Sequence, residues 1–319
     1  MSKNSATDAA LEKKPTASAS PALTIIVVSD FEADREKSWK DEISMARALA
    51  AQDIGAPFKV VIAECEIHQN ERQPDELTST LDDLEIVYGP DERSAALKDL
   101  AVAQCNTPWV AVLEADALPS PNWARLLMEA AHQNPDYDIF SGRTYYGDET
   151  SWMRVLNLLD RSFDDRGASG DTSHVSNNGA LYRTELLKEF PYPDAGSPFL
   201  SSRKRNAAMQ RAGYRFYSQR NALMRHAVGG LDFVNDFRRN TGYSDMMTLT
   251  HRSPLKIPGL TARRMKSEIG SALRVGGEYL KWFDWPLFAL MFLYVRLPEL
   301  AGMRSALQNS QHLKNTAYR

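Results

Sequence analysis

Short runs of apolar residues alternate with amphipathic stretches in the first half of the chain. LTIIVV (Leu23–Val28) is continuous and rich in β-branched residues, and FKVVIAEC (Phe58–Cys65) and LEIVYG (Leu84–Gly89) are predicted as a second and a third strand. Continuous apolar runs of this length are typical of strands that are buried on both faces of a sheet. A fourth run, WVAVLEAD (residues 109–116), is also predicted to be a strand.

The stretches between these runs predict helices. Asp34–Gln52 is rich in Ala and in acidic residues, and RSAALKDLAVAQC (residues 93–105) precedes the fourth strand. SPNWARLLMEAA (residues 120–131) follows that strand, with Ser120 as the predicted N-cap and Pro121 in the first turn. Strands that alternate with helices favour an α/β fold, in which a mainly parallel sheet is flanked by helices.

Two carboxylates follow the fourth predicted strand, at the edge where such sheets bind ligands. Glu114 and Asp116 are separated only by Ala115. Alternate side chains of a strand share a face, so these two acids can point the same way. Neighbouring carboxylates repel each other unless a positive charge lies between them, and a divalent cation chelated with a diphosphate would supply that charge. Two solvated acids at a strand end are the alternative interpretation.

The composition is that of an ordinary folded protein. Apolar residues make up 43% of the chain and charged residues 25%. Cys65 and Cys105 provide neither a disulfide framework nor the spacing of a metal site, which fits a reducing compartment. Residues 1–21 are rich in Ser, Ala and Lys without an apolar centre, so we expect a disordered leader, no export and a cytoplasmic location.

The net charge of −3 conceals a basic C-terminal extension. Residues 251–319 contain 11 Lys and Arg against 4 Asp and Glu, which leaves the rest with 27 basic and 37 acidic residues. Within the extension, the apolar segment Trp285–Val295 is shorter than the roughly 20 residues of a membrane span. It is apolar on all sides, so it must be buried in protein or dipped into lipid. The basic and aromatic residues that precede it suit an anionic headgroup layer, whereas a helical appendix packed on the main domain is the alternative.

Several motifs, in this order, resemble the nucleotide-sugar glycosyltransferases of the GT-A fold, the large inverting family 2. They are SAALKDL (94–100), EADALPSPNW (114–123), SNNGALYRTELLKEF (176–190), NAAMQRAGYRFY (206–217), ALMRHAVGG (222–230) and DFVNDFRRNTGYSD (232–245). The resemblance spans about residues 22–250 and implies a Rossmann-like GT-A domain there, with residues 251–319 as a helical extension. Members of the family often end in membrane-associated helices, which favours peripheral attachment to the cytoplasmic face of a membrane.

The resemblance also implies a nucleotide site along the carboxyl edge of the sheet. Ser29 and Glu32 would lie by the base and ribose, and Glu64 would bond the uracil ring. Arg93 and Lys98 would lie near the diphosphate. A surface acid at position 64 and solvated helix charges at positions 93 and 98 are the alternatives.

A divalent cation, Mn²⁺ or Mg²⁺, is implied as cofactor. Asp116 would be its direct ligand, Glu114 would be the partner of Asp116 toward the ribose or the metal, and His226 would be a third ligand. Arg238 and Arg239 would grip phosphate with their forked donors. A structural histidine at position 226 and a solvated basic face around the arginine pair are the alternatives.

On the acceptor side, Asn177 and Asn178 match the family pattern, but the catalytic base does not. Counting back from the RAGYR motif, the family's Glu-Asp pair falls on Ser201 and Ser202. A serine hydroxyl cannot by itself act as a general base at neutral pH. If a different carboxylate serves, Asp194, in a loop rich in Pro and Gly, is the predicted base, with Glu189 and Asp171 as the competing acids.

The predicted function is transfer of a sugar, with inversion, from a nucleoside diphosphate-sugar of the UDP type to a glycan or lipid-linked acceptor. An anionic membrane surface is a further predicted partner, and nucleic acid is not expected. Two other classes stay open. The serines at the base position favour a non-catalytic nucleotide-sugar-binding or scaffold protein of a polysaccharide pathway. A nucleotidyltransferase would also chelate a metal-diphosphate, but no Gly-rich phosphate loop is visible near the first strand.

Overall fold

The structure is a computed structural model that describes residues 21–29, 39–90, 94–163, 165–176, 178–193 and 198–308. Within these ranges, nine strands form one sheet. They are β1 (Leu23–Val28), β2 (Phe58–Cys65), β3 (Leu84–Gly89), β4 (Trp109–Glu114), β5 (Ala117–Pro119), β6 (Ile139–Tyr145), β7 (Gly170–Thr172), β8 (Ala180–Arg183) and β9 (Phe216–His226). Their order is β3-β2-β1-β4-β8-β6-β9-β5, and β7 also pairs with β9.

The apolar runs of the sequence form the parallel half of the sheet. β1 pairs in parallel with β2 and with β4, and β2 pairs in parallel with β3. The bounds of β1, β2 and β3 are those that the sequence predicts. β4 ends at Glu114, earlier than predicted, because residues 115–116 form a turn. Asp116 therefore lies on a turn and not on a strand.

The other half of the sheet is mixed. β8 runs antiparallel to β4 and β6, while β9 runs antiparallel to β5 and β7 and parallel to β6. The predicted α/β class, with flanking helices and a helical C-terminal region, is confirmed, but parallel pairing dominates less than the sequence suggests. β5 and β7 have three residues each, too few to show a hydrophobic pattern.

Helices flank the sheet and form the C-terminal extension. Those of the described ranges are α1 (Lys40–Ala50), α2 (Asp75–Thr80), α3 (Ser94–Ala103), α4 (Trp123–Gln133), α5 (Ser151–Leu156), α6 (Thr184–Glu189), α7 (Pro198–Arg211), α8 (Leu231–Met247), α9 (Ile257–Tyr279), α10 (Trp285–Tyr294) and α11 (Arg296–Leu307). A π-helical turn, Asn157–Arg161, follows α5. The prediction of Ser120 as N-cap is wrong, because Asn122 occupies that position before α4.

Apolar layers cover both faces of the parallel strands. Ile25 and Val27 of β1 face a layer that includes Met45 of α1 and Leu127 of α4. Their neighbours Ile26 and Val28 face the opposite layer, which contains residues of α3 and α6. Burial on both faces explains why β1 is a continuous apolar run. This packing fixes the positions of the ends of β1, β2 and β4 at the carboxyl edge of the sheet.

The C-terminal helices pack on the rest of the protein. Val275 of α9, and Met291 and Val295 at α10, share a buried cluster with Leu158 and Leu159 of the π-helical turn. By length and composition alone, one stretch of the described chain, Trp282–Leu307, could cross a membrane, and 44% of its most apolar window is buried. The predicted domain boundary near residue 250 stays a prediction.

Candidate active site

Glu114, Asp116 and His226 converge just beyond the carboxyl end of β4. One ligand atom of each side chain lies within 4.8 Å of those of the other two. The register of β5 on β9 sets Ala117 opposite His226, which brings the end of β9 against the turn that carries Asp116. The structure thus brings together the three residues that the sequence assigns to a metal site, although Asp116 and His226 are far apart along the chain.

The imidazole of His226 is oriented by the backbone carbonyl of the next residue, Ala227. Its Nδ1 atom lies 2.7 Å from the carbonyl oxygen of Ala227. A carbonyl can only accept, so Nδ1 donates and Nε2 of the neutral ring keeps its lone pair. Burial lowers the pKa of His226 to about 4, which keeps the ring neutral at pH 7. Nε2 lies 3.4 Å from Oδ2 of Asp116, and two acceptors that face each other in this way fit a divalent cation between them.

Glu114 is held by two further side chains. Nζ of Lys98 lies 2.7 Å from its Oε1 atom, and Nδ2 of Asn178 donates to Oε2 at 3.2 Å. The backbone N of Glu114 also donates to Oδ1 of Asn178 at 3.1 Å. Burial opposes ionisation of Glu114, but the ammonium of Lys98 outweighs it and holds the pKa of the carboxyl below its ordinary value. Two oriented carboxylates and a neutral imidazole are donors that suit a divalent cation.

Two residues of the predicted nucleotide site lie along the same edge of the sheet. Ser29 follows β1, and its buried hydroxyl donates to Glu42 of α1. Glu64, near the end of β2, is only 2% exposed and accepts a hydrogen bond from the backbone N of Cys65 at 2.7 Å. The parallel register of β1 on β2 and β4 brings these positions toward Glu114. The burial of Glu64 rules out a surface acid at this position.

A cavity of about 450 Å³ adjoins the cluster. Glu114 and His226 contribute to its wall, together with Asn178 and Ser202 from the predicted acceptor side. Its other walls come from β6, the π-helical turn, and helices α7, α8 and α9. The C-terminal extension therefore forms part of the wall of the cavity beside the cluster.

Most carboxylates of this cavity are tied to arginines. In the described part of the chain, Asp165 pairs with Arg143 and Arg220, Asp245 with Arg203 and Arg264, Asp160 with Arg238, and Glu268 with Arg238 and Arg296. Burial opposes ionisation of Asp165, but the hydrogen bonds from Arg220 outweigh it and hold the pKa of Asp165 far below its ordinary value. These pairs join distant segments, which is why the sequence did not reveal them.

The two arginines that the family resemblance assigns to phosphate have different surroundings in the structure. Arg238 is 1% exposed, and its guanidinium is paired with Asp160, Glu268 and Glu299. Arg239, the next residue of α8, is exposed. The surroundings of Arg238 are thus those of a structural charge in the cavity wall.

Four predicted site residues, Glu32, Arg93, Asn177 and Asp194, lie outside the described residues. One residue that the sequence did not single out is His174, which lines the cavity. It stands just before the acceptor-side motif, in SGDTSHVSNNG. That proximity to Asn177 and Asn178 is the signal that could have drawn attention to it.

Comparison with known proteins finds matches in family and in fold. Residues 74–190 match the family model described as Glycosyl transferase family 2. In fold, the chain is similar to the mannosyltransferase PcManGT from Pyrobaculum calidifontis, solved in complex with GDP-Man and Mn²⁺, at 14% sequence identity and a TM-score of 0.54, over 91% of this chain and 88% of that one. Similarity to S. aureus TarS 1–349 in complex with UDP-GlcNAc is weaker, at 13% identity and a TM-score of 0.47 over 93% of each chain. No curated protein matches in sequence.

The fold of the chain is that of the GT-A class. Because residues 74–190 match the family 2 model, the resemblance found in the sequence is confirmed over this segment.

Proposed function

We propose that the protein transfers a sugar from a UDP-sugar to a glycan or lipid-linked acceptor, with inversion at the anomeric carbon. The family match supports glycosyl transfer, and the observation that carries the proposal is the convergence of Glu114, Asp116 and His226 beside a cavity. The buried carboxylate of Glu64 supports uracil as the base, because the family resemblance assigns that position to the uracil ring.

Different side chains at the carboxyl edge of the sheet have different proposed roles. Glu114, Asp116 and His226 would hold Mn²⁺ or Mg²⁺, which when bound would stabilise the charge of the leaving diphosphate. Asn178 and Lys98 orient Glu114. The cavity next to this cluster would hold the acceptor. Direct attack of its hydroxyl on the anomeric carbon, from the side opposite the diphosphate, would invert the configuration.

A screen of nucleoside diphosphate-sugars tests this function. The full-length protein, with Mn²⁺, is expected to release UDP from at least one UDP-sugar, in water or with simple sugar acceptors. Asp116→Asn is expected to abolish that release. A protein that binds UDP with Mn²⁺ but turns over no donor would instead support the non-catalytic nucleotide-sugar-binding alternative, which Ser201 and Ser202 favour.

We further propose that the C-terminal helices attach the protein peripherally to an anionic membrane surface on the cytoplasmic side. Leu290, Leu293 and Leu297 are 64%, 63% and 65% exposed and follow each other at helical spacing, so they form one apolar stripe. Leu273 and Trp282 are more exposed still. So many large apolar side chains exposed on one part of the surface favour contact with the acyl chains of a membrane.

The charges of the same helices favour an interfacial position over a span. Exposed cations, Arg263, Lys266 and Lys281, accompany the apolar side chains and complement anionic headgroups. Arg296 and Glu299, inside the stretch long enough to cross a bilayer, are buried in ion pairs with other helices of the protein. Withdrawing them into lipid would break those pairs, so the helices lie on the surface.

A further inference from the structure

His174 lies in the segment that joins β7 to β8, and α7 holds this segment in place. Nδ2 of Asn206 donates to the carbonyl oxygen of Val175 at 3.1 Å, and Nε2 of Gln210 donates to that of Ser173 at 2.8 Å. These two carbonyls belong to the residues directly before and after His174. The backbone that carries the imidazole is therefore fixed on both sides.

The same face of α7 carries the serine that stands at the family's base position. Ser202 lies one helical turn before Asn206, and residues four apart share a helix face. Ser202 and His174 both line the cavity, as do Glu114 and His226. The imidazole of His174 therefore lines the same cavity as Ser202, which stands at the family's base position, and as the cluster at the sheet edge.

A general base needs a lone pair that is not engaged by a cation. Among the described residues of the cavity wall, Glu114 is paired with Lys98, and the other carboxylates are paired with arginines as described above. Nε2 of His226 faces Asp116 at the cluster. His174 packs edge-to-face against Phe163, with ring centroids 4.6 Å apart, and no carboxylate in the described chain pairs with it.

The protonation state of His174 suits the same role. Burial, helped by the charge of Arg203, lowers the pKa of His174 to about 4, so the ring is neutral at pH 7. An ordinary aspartate has a pKa of about 3.9. The imidazole is therefore about as basic as the carboxylate that the family resemblance expects at the position of Ser202.

We propose that His174 is the general base of the transfer reaction, an inference that rests on the proposed function. A ring nitrogen of His174 takes the proton of the acceptor hydroxyl while the hydroxyl oxygen forms a bond to the anomeric carbon. The bond from that carbon to the diphosphate oxygen breaks, and its electron pair leaves with the nucleoside diphosphate. The imidazolium then returns its proton to solvent.

The test compares His174→Gln and His174→Ala with the wild-type chain. Turnover is UDP release from the UDP-sugar that gives the highest wild-type rate, and binding is measured by calorimetry with UDP and Mn²⁺. Loss of the base is expected to lower turnover by about 10²–10⁴-fold and to leave UDP affinity within about twofold of wild type. Added imidazole is expected to restore part of the turnover of His174→Ala, which a merely structural role would not allow.

Two matched variants complete the design. His251→Ala removes an exposed histidine and is expected to keep wild-type turnover. Asp194→Asn tests the base that the sequence favours. Loss in Asp194→Asn with retention in His174→Gln would overturn the assignment to His174, as would loss of UDP binding in both His174 variants. Absence of turnover in the wild-type chain that still binds UDP contradicts the proposed function itself.

Discussion

Gly242 of α8 lies directly against the carbonyl oxygen of Glu299 in α11, so a Cβ atom at position 242 would overlap that oxygen. Gly302 of α11 has the reciprocal relationship with the carbonyl oxygen of Arg239. The two helices therefore meet backbone to backbone, because each presents a glycine to the other. The C-terminal extension is thus an integral layer of the protein and not a loosely attached appendix.

Enlarging either glycine is expected to separate the two helices. Gly242→Ala and Gly302→Ala should each lower the free energy of unfolding by about 1–3 kcal/mol, the usual cost of overpacking. Gly277→Ala is the matched control, since no atom lies within 4 Å of a Cβ added at this position of α9. It should raise stability by about 0.5–1 kcal/mol, because alanine favours a helix over glycine. Equal effects of all three in urea denaturation would contradict the close contact.

Arg238 and Arg239 offer a second matched pair. Nη1 of Arg238 lies 2.7 Å from carboxylate oxygens of both Glu268 and Glu299, and Nη2 lies 2.5 Å from Asp160. Arg238→Met leaves buried carboxylates short of a cation, so we expect a loss of about 3–5 kcal/mol in the free energy of unfolding. Arg239→Met changes an exposed residue and should stay within about 0.5 kcal/mol of wild type. Similar denaturation midpoints for the two variants would disprove the structural role of Arg238.

The same arginines show what a sequence can and cannot predict. The bounds of β1 to β3 were predictable to the residue, and for β1 the reason is that burial on both faces leaves a continuous apolar run. The basic pair in α8 looks like a solvated or phosphate-binding face, because charge pattern does not say which partner a charge will meet. The partners of Arg238 come from segments remote in sequence. The approach of His226 to Asp116 likewise depends on the short strand β5, which carries no apolar pattern.

The cluster of Glu114, Asp116 and His226 predicts metal-dependent nucleotide binding. UDP should bind more tightly with Mn²⁺ or Mg²⁺ than with a chelator, by at least about tenfold, or about 1.4 kcal/mol. Asp116→Asn should remove this difference, because it takes away a charged oxygen ligand. Asp82→Asn, which changes an exposed acid, should retain it. Calorimetry that finds the same UDP affinity with and without metal would exclude the metal role of the cluster.

The apolar stripe of the extension predicts salt-sensitive membrane binding. Full-length protein should float with vesicles that contain phosphatidylglycerol and much less with pure phosphatidylcholine. Binding should weaken as salt is added, since charge attraction is screened over a Debye length of about 8 Å at physiological ionic strength. Leu290, Leu293 and Leu297 changed together to Gln should release the protein. Ile67→Gln, an exposed apolar residue outside the extension, should not. Flotation that survives the triple change would rule out the stripe as the contact.

Because His174 is neutral in the folded protein, we expect the free energy of unfolding to fall as the pH is lowered. Its pKa of about 4 in the folded protein is below the ordinary value of 6.5, so the unfolded chain binds the proton more readily. The stability that this histidine contributes is therefore fully present above about pH 6.5 and is lost as the pH falls toward 4. At 1.36 kcal/mol for each pKa unit, the loss is at most about 3.4 kcal/mol.

Glutamine does not titrate, so His174→Gln should remove this part of the pH dependence. Urea denaturation of both proteins between pH 4 and pH 7.5 measures the difference. The free energy of unfolding of the wild-type chain should fall more steeply on acidification than that of His174→Gln, with the two curves parallel above about pH 6.5. His251→Gln, which changes an exposed histidine, should follow the wild-type curve throughout. Parallel curves of wild type and His174→Gln over the whole range would show that His174 titrates normally in the folded protein, and the match of its basicity to an aspartate would then be lost.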